Sequence, residues 1–364
     1  MGMVVTYAPP GGDGVTEHEI AARVSVAKAL AALMRYRFGG GYEPSLRRNG
    51  ALYFVPSQTL SGDEALALGI RGENDLFGGV VPFPFVATKA IAHPLPRRAA
   101  FRPVGWRDTF AERVREVVLP GFAAFTREDA REAARLLLAN GPVRLKRGRG
   151  IGGRGQAVIE APDHPVLDTL DEAELRTYGL VVEPNLEDLT TFSVGQVCVG
   201  ELRASYCGTQ KATRDNRGEC AYGGSDLLVV RGGFDELERL DLPPQVRIAI
   251  EQAKAFDAAA GEFEGLIASR RNYDVLRGRD SQGRWYSGVL EQSWRIGGAS
   301  GPEVAALAAF ESDARLRVVH ARSTEAYDVD APIPAGAMVH FRGVDSRAGP
   351  MTKYTFVEPY EHAL

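Results

Sequence analysis

Two groups of residues in this sequence have the types and spacing to do chemistry. The first is Val143-Arg144-Leu145-Lys146, followed by Arg147-Gly148-Arg149-Gly150-Ile151-Gly152-Gly153-Arg154-Gly155. A lysine near the end of a β-rich run and then a basic glycine-rich loop suit anionic oxygens. Glycine lets backbone N–H groups come close, and the side chains add positive charge. A solvated basic hairpin is the plainer alternative. The second group is Asp274 in Asn272-Tyr273-Asp274-Val275-Leu276 and Glu291 in Val289-Leu290-Glu291-Gln292-Ser293-Trp294-Arg295. Two carboxylates on one face suit Mg²⁺, a hard cation that takes oxygen ligands and leaves room for phosphate oxygens. Two exposed acids on a hairpin are the alternative. Arg295, followed by Gly297-Gly298, could neutralise a transferring phosphoryl group or hold a substrate carboxylate.

The elements around these residues set what they can do. Gly148, Gly150 and Gly153 spell GxGxxG, but the dinucleotide fingerprint works only where the loop opens a helix. Here the short β-branched run Gln156 to Glu160 predicts a strand, so the loop reads as a hairpin tip; no GK[ST] follows to make a Walker loop. The Asp280-Ser281-Gln282-Gly283 turn joins strands at Asp274–Leu276 and Trp285–Gln292, which places Asp274 and Glu291 side by side. Leu180–Glu183 and Phe192–Val199 read as strands, and Asp108–Val118 and Pro243–Ala260 as helices. Lys211 falls in a loop after a strand, within reach of a phosphate or simply exposed. At the start, Val4–Tyr7, Leu52–Val55 and Gly79–Pro82 alternate with a helix whose apolar stripe is Ile20, Val24, Ala27, Leu30, Ala31 and Met34. Thr16 and Glu19 form its capping box. This alternation predicts a small parallel sheet. After Gly301 a helix (Glu303–Phe310) and two or three short strands follow.

Composition narrows the class. The chain has 364 residues, enough for two or three packed units. A net charge of −4 offers no basic excess for a general nucleic-acid binder, so no nucleic-acid partner is expected. Three cysteines within 23 residues (Cys198, Cys207, Cys220) match no zinc spacing and suit reduced thiols in the cytoplasm. No apolar run reaches membrane-spanning length, and no signal peptide is visible, so no membrane association is expected.

The order of these pieces resembles the ATP-grasp superfamily over roughly residues 105 to 300. A strand lysine with a glycine-rich flap, a strand ending in Leu180-Val181-Val182-Glu183-Pro184-Asn185-Leu186, and the Asp274/Glu291 hairpin recur there. The resemblance implies an α/β and α+β architecture, an ATP-grasp fold preceded by a small Rossmann-like α/β domain. The implied units are residues 1–104, 105–182, 183–305 and a C-terminal extension, 306–364, that either completes the last lobe or makes a homodimer contact. It implies ATP and Mg²⁺ as cofactors. Lys146 would meet the α- and β-phosphates under Gly150, Gly152, Gly153 and Arg154. Arg107, or alternatively Lys89, would be the first nucleotide-binding cation. Glu183 would meet the adenine amino group, and Leu186 would pack on the ring. Asp274, Glu291 and Ser293 would hold the metal, with Arg295 and Lys211 acting at the reacting centre. Ser293 stands where the family usually has Asn, Thr191 where it usually has a ribose-binding acid, and Pro184 removes one hinge N–H. The implied activity joins a small-molecule or peptide carboxylate to an amine or thiol through an acyl phosphate. A weak or inactive nucleotide-binding relative is the alternative, and a scaffold that keeps only the fold is a third.

Overall fold

The protein is described by a computed structural model covering residues 2–9, 16–150 and 155–360. Gly152, Gly153 and Arg154, expected in the flap, lie outside the described residues. The chain begins with β1 (Met3–Tyr7), α1 (Glu17–Leu33), β2 (Arg37–Gly41) and β3 (Leu52–Pro56). These strands form a small parallel sheet in the order β2-β1-β3, as expected, but its third member is β2, which the sequence did not single out. Glu19 closes the start of α1 by accepting from the Thr16 backbone N–H at 3.0 Å. Then come β4 (Leu60–Ser61), α2 (Gly62–Leu68) and β5 (Gly79–Val81). The Gly79 strand does not join the first sheet. It pairs with β4 and with a strand much later in the chain, because its three buried residues fit a two-sided environment.

The next unit holds α3 (Asp108–Val114), β6 (Phe122–Ala124), α4 (Arg127–Leu137), β7 (Val143–Arg147), β8 (Gln156–Ile159), α5 (Glu172–Tyr178) and β9 (Leu180–Pro184). Its four strands make an antiparallel sheet in the order β6-β9-β7-β8. The glycine-rich segment thus joins two antiparallel strands rather than opening a helix. Gly148 has to be glycine: a Cβ there would stand 2.2 Å from the Tyr178 carbonyl oxygen, where the two segments touch.

The rest is built on one long antiparallel sheet. Its parts are β10 (Glu187–Val199), β11 (Leu202–Arg214), β12 (Cys220–Arg231), α6 (Phe234–Glu238), α7 (Pro244–Ala260), β13 (Ile267–Ala268), β14 (Arg270–Arg279), β15 (Trp285–Ser293), α8 (Ser300–Ser312), β16 (Val318–Ala326), β17 (Met338–Asp345) and β18 (Gly349–Pro359). The order is β15-β14-β10-β11-β12-β16-β18-β17, and β13 is the late partner of β5. Lys211 lies in the middle of β11, not in a loop. The run Thr209 to Arg214 finds partners along β12, which overrides its polar character. Helix α7 buries Ala249, Ile250, Ala253 and Phe256 against β10, β14 and β15, with Phe256 stacked obliquely on Tyr273 at 5.7 Å. Helices α8 and α1 cover the β11–β18 end. The C-terminal strands β16–β18 therefore extend the very sheet that carries Asp274.

A candidate active site between two sheets

Asp274 and Glu291 face each other directly across β14 and β15, as the Asp280–Gly283 turn implied. The pairing slips by one residue just beyond them, where Val275 meets Val289. Both carboxylates are half-buried. Asp274 Oδ1 accepts from Gln210 Nε2 at 2.8 Å and from Asn272 Nδ2 at 3.0 Å. Burial, followed by the neighbouring Glu291 charge, pushes the Asp274 carboxyl up to about 6. Burial also works to raise Glu291, but Lys89, Arg295 and Lys146 outweigh it and hold Glu291 below the ordinary carboxylate range.

The opposing sheet supplies the cations. Lys146 is buried on β7 and ion-pairs with Glu183 on β9. Lys146 lies opposite Val181, so Glu183 is its diagonal neighbour on the same face. His93 stands 3.8 Å from Glu183, almost fully enclosed. Burial holds its imidazole near pKa 4, with Glu183 opposing and Lys146 reinforcing that shift. Lys89 is buried on a single 3₁₀ turn, Lys89–Ala92. It bonds Glu291 at 2.6 Å and the Gly150 carbonyl at 3.0 Å. One lysine therefore spans both sheets.

This arrangement sorts the sequence candidates. Lys146, Gly150, Glu183, Asp274, Glu291 and Arg295 gather in one cluster of charged groups. Of the two proposed first cations, Lys89 sits in this cluster. Arg107 stands exposed at the head of α3, with no hydrogen bond or ion pair among the described residues. Lys211 points away from Asp274: adjacent strand residues face opposite sides, and Gln210 already takes the Asp274 side. Lys211 pairs instead with Asp226 at 3.1 Å. Leu186 is buried with Leu119 and Leu276 in a small apolar group behind the hinge. The Glu183 carboxylate is spent on Lys146 and His93. Ser293 faces Asn272 across β15 and β14.

Gln210 and Glu303 are not picked out in the sequence, and the run Arg270-Arg271-Asn272 reads there as either a substrate-facing segment or a solvated turn, whereas Arg270 and Asn272 are buried on β14. Arg270 is fully buried and donates to Glu303 at 2.7 Å, to the Ser293 carbonyl at 3.1 Å and to the Arg295 carbonyl at 2.5 Å. Tyr206 donates to Glu303 at 2.6 Å and lies 2.8 Å from Asn272 Oδ1. A continuous buried network thus runs from α8 to the carboxylate pair. No sequence spacing announces it, since its members lie on four elements.

Among the described residues, no three His, Cys, Asp and Glu converge to hold a metal alone. The donor set is nevertheless all oxygen: Asp274, Glu291 and the Ser293 hydroxyl. A hard divalent cation would offset both the burial and the Glu291 charge that raise Asp274, so these residues fit Mg²⁺ completed by phosphate oxygens or water.

A family model described as "Protein of unknown function (DUF3182)" matches residues 7–355. The chain belongs to this family. No curated protein matches it. Among solved structures, it is similar to N5-carboxyaminoimidazole synthase from Aspergillus clavatus in complex with ADP and 5-aminoimidazole ribonucleotide. That likeness has a TM-score of 0.52 at 13% identity, over 99% of this chain and 95% of the other. It is also similar to an ADP complex of N5-carboxyaminoimidazole ribonucleotide synthetase, with a TM-score of 0.50 at 11% identity, over 98% and 92%. The fold of this DUF3182 member is the ATP-grasp fold. No helix among the described residues is long and apolar enough to cross a membrane.

Proposed function

We propose that the protein is an ATP- and Mg²⁺-dependent ligase that joins a carboxylate to an amine or a thiol. The observation that supports this most is the convergence of Lys146 and Lys89 from one side with Asp274 and Glu291 from the other. Phosphates need the cations and the metal needs the acids, and one crevice offers both. Lys146 and Lys89 would bind phosphate oxygens, with Gly150 at the mouth of the flap. Asp274, Glu291 and Ser293 would hold Mg²⁺, which supplies charge neutralisation at the phosphates. Leu186, backed by Leu119 and Leu276, would supply the apolar side of the adenine site. Arg295 would orient the substrate carboxylate.

The substrate carboxylate attacks the γ-phosphorus and ADP leaves. The amine or thiol then attacks the acyl carbon, loses its proton, and phosphate leaves. No protein nucleophile is required; positioning and charge do the work. A second reading, nucleotide binding without ligation, is favoured by Ser293 in place of Asn and by Thr191 in place of an acid. The test is thermal denaturation with ATP, with and without Mg²⁺, together with ADP release over a panel of carboxylates and amines. Stabilisation that requires Mg²⁺, with ADP release for some pair, supports ligation. Stabilisation with no ADP release for any pair supports the second reading. No stabilisation by any nucleotide removes both.

A further inference from the structure

Two duties of Lys89 conflict. Its ammonium bonds Glu291 Oε2 at 2.6 Å, yet Glu291 is also one of the three oxygen donors that fit a divalent cation. Among the described residues, no other cation forms an ion pair with Asp274 or Glu291. Lys146 and Arg270, the other buried cations of this region, take Glu183 and Glu303, which lie outside the donor set. The side chain of Lys89 is 6% exposed and that of Glu291 33%. The acid is therefore open to a hydrated ion, while the lysine that holds it is not open to water.

The turn that carries Lys89 is fixed from two sides. Gln292, buried on β15 beside Glu291, donates through Nε2 to the Val86 carbonyl at 2.9 Å and to the Thr88 carbonyl at 2.8 Å. The Thr88 hydroxyl accepts from the Ala90 N–H at 3.2 Å and lies 2.9 Å from the carbonyl of Tyr178, the last residue of α5. With its backbone held, Lys89 changes partner only by swinging its ammonium on the four-carbon stem. Its present partners are Glu291 and the Gly150 carbonyl at 3.0 Å. Its charge matters to Glu291: after the opposing effect of burial, Lys89 does most to hold that carboxyl low, and Arg295 and Lys146 add to it. A divalent ion on Glu291 would thus meet an ammonium already in place, and like charges this close repel strongly where water is scarce. An anion that takes the ammonium removes that repulsion.

We propose that Lys89 and a divalent cation are alternative partners of Glu291, so that the lysine withholds the metal site until an anionic ligand draws its ammonium away. Anion and metal then favour each other, and by linkage each raises the affinity of the other by the same factor. That the anion is a nucleotide phosphate rests on the ligase reading; the competition for Glu291 does not.

The experiment uses the full chain and Mn²⁺, which shares the oxygen-ligand preference of Mg²⁺ and is read by electron paramagnetic resonance. With no nucleotide added, Lys89→Met binds Mn²⁺ about tenfold tighter or more than the wild type. Adding Glu291→Gln to Lys89→Met abolishes the gain. Lys146→Met, which removes an equal charge from a lysine bonded elsewhere, gains less. A second arm leaves Lys89 in place, so it decides the matter even where Lys89→Met does not fold. With EDTA present, Glu291→Gln binds ATP about fivefold tighter or more than the wild type in calorimetry, because the ammonium no longer has to leave an acid. Asp274→Asn, which removes a carboxylate that no lysine pairs with among the described residues, gains less. Equal Mn²⁺ affinity in the wild type and Lys89→Met, a gain that survives Glu291→Gln, or gains as large in Lys146→Met or Asp274→Asn overturn the inference. If ATP with Mg²⁺ stabilises the wild type while Lys89→Met gains nothing for Mn²⁺, the inference fails and the ligase reading stands. If no nucleotide binds any of these proteins while the Glu291-dependent gain for Mn²⁺ persists, the ligase reading fails and the competition for Glu291 stands.

Discussion

Two buried ion pairs in this protein are wired differently. Arg270–Glu303 is closed: Arg270 bonds Glu303 and two backbone carbonyls, while Glu303 also receives the Tyr206 hydroxyl. Lys146–Glu183 is open. Lys146 can donate three hydrogen bonds, and only Glu183 takes one among the described residues. The other neighbour of Glu183, His93, is held neutral. A buried pair with its donors used up acts as framework, whereas a buried lysine with donors to spare is ready for a ligand. The first fixes the backbone beside Ser293 and Arg295, and the second adds its charge to the field around Glu291.

The largest expected effect tests the closed pair. Glu303→Ala strands the Arg270 charge and should cost about 3–5 kcal/mol in urea denaturation. A cost below about 1 kcal/mol would show that Arg270 is not framework. The next tests the open group through His93. The unfolded imidazole protonates near pH 6.5, the folded one only near 4. Between these values the unfolded chain binds the extra proton, so stability is present at neutral pH and lost as pH falls through this window. The loss should approach about 3 kcal/mol at its acid end. His93→Gln should flatten it, and equal pH profiles for the two proteins would remove His93 from the account. The smallest effect concerns Lys146. Lys146→Met leaves Glu183 beside His93 and should weaken Mg²⁺-dependent ATP binding by about tenfold to a hundredfold, read by calorimetry. Unchanged affinity would make the open pair structural as well.

The carboxylate hairpin was legible because one turn fixes its register: once Asp280–Gly283 is a turn, Asp274 must meet Glu291. The strand lysine and the antiparallel run after the glycine-rich loop were legible for the same local reason. Lys89 could be named only as an alternative to Arg107, because a short 3₁₀ turn leaves no periodicity and only packing carries it to Glu291, 202 positions on. Lys211 was misplaced because a polar run has no strand signature of its own and takes its structure from β12. The bonds of Arg270 and Tyr206 join residues 23 to 97 positions apart, beyond any spacing argument.

The last strands of the long sheet also set a schedule. Asp345 accepts from the His18 backbone N–H, Ser346 donates to Glu17, and His340 bonds Ser25, across separations of 315 to 329 residues. Helix α1 therefore leaves the ribosome long before its partners exist. At about 5–20 residues per second, the first helix waits roughly a quarter of a minute to a minute for β17 and β18. During that interval one side of α1 lacks its cover.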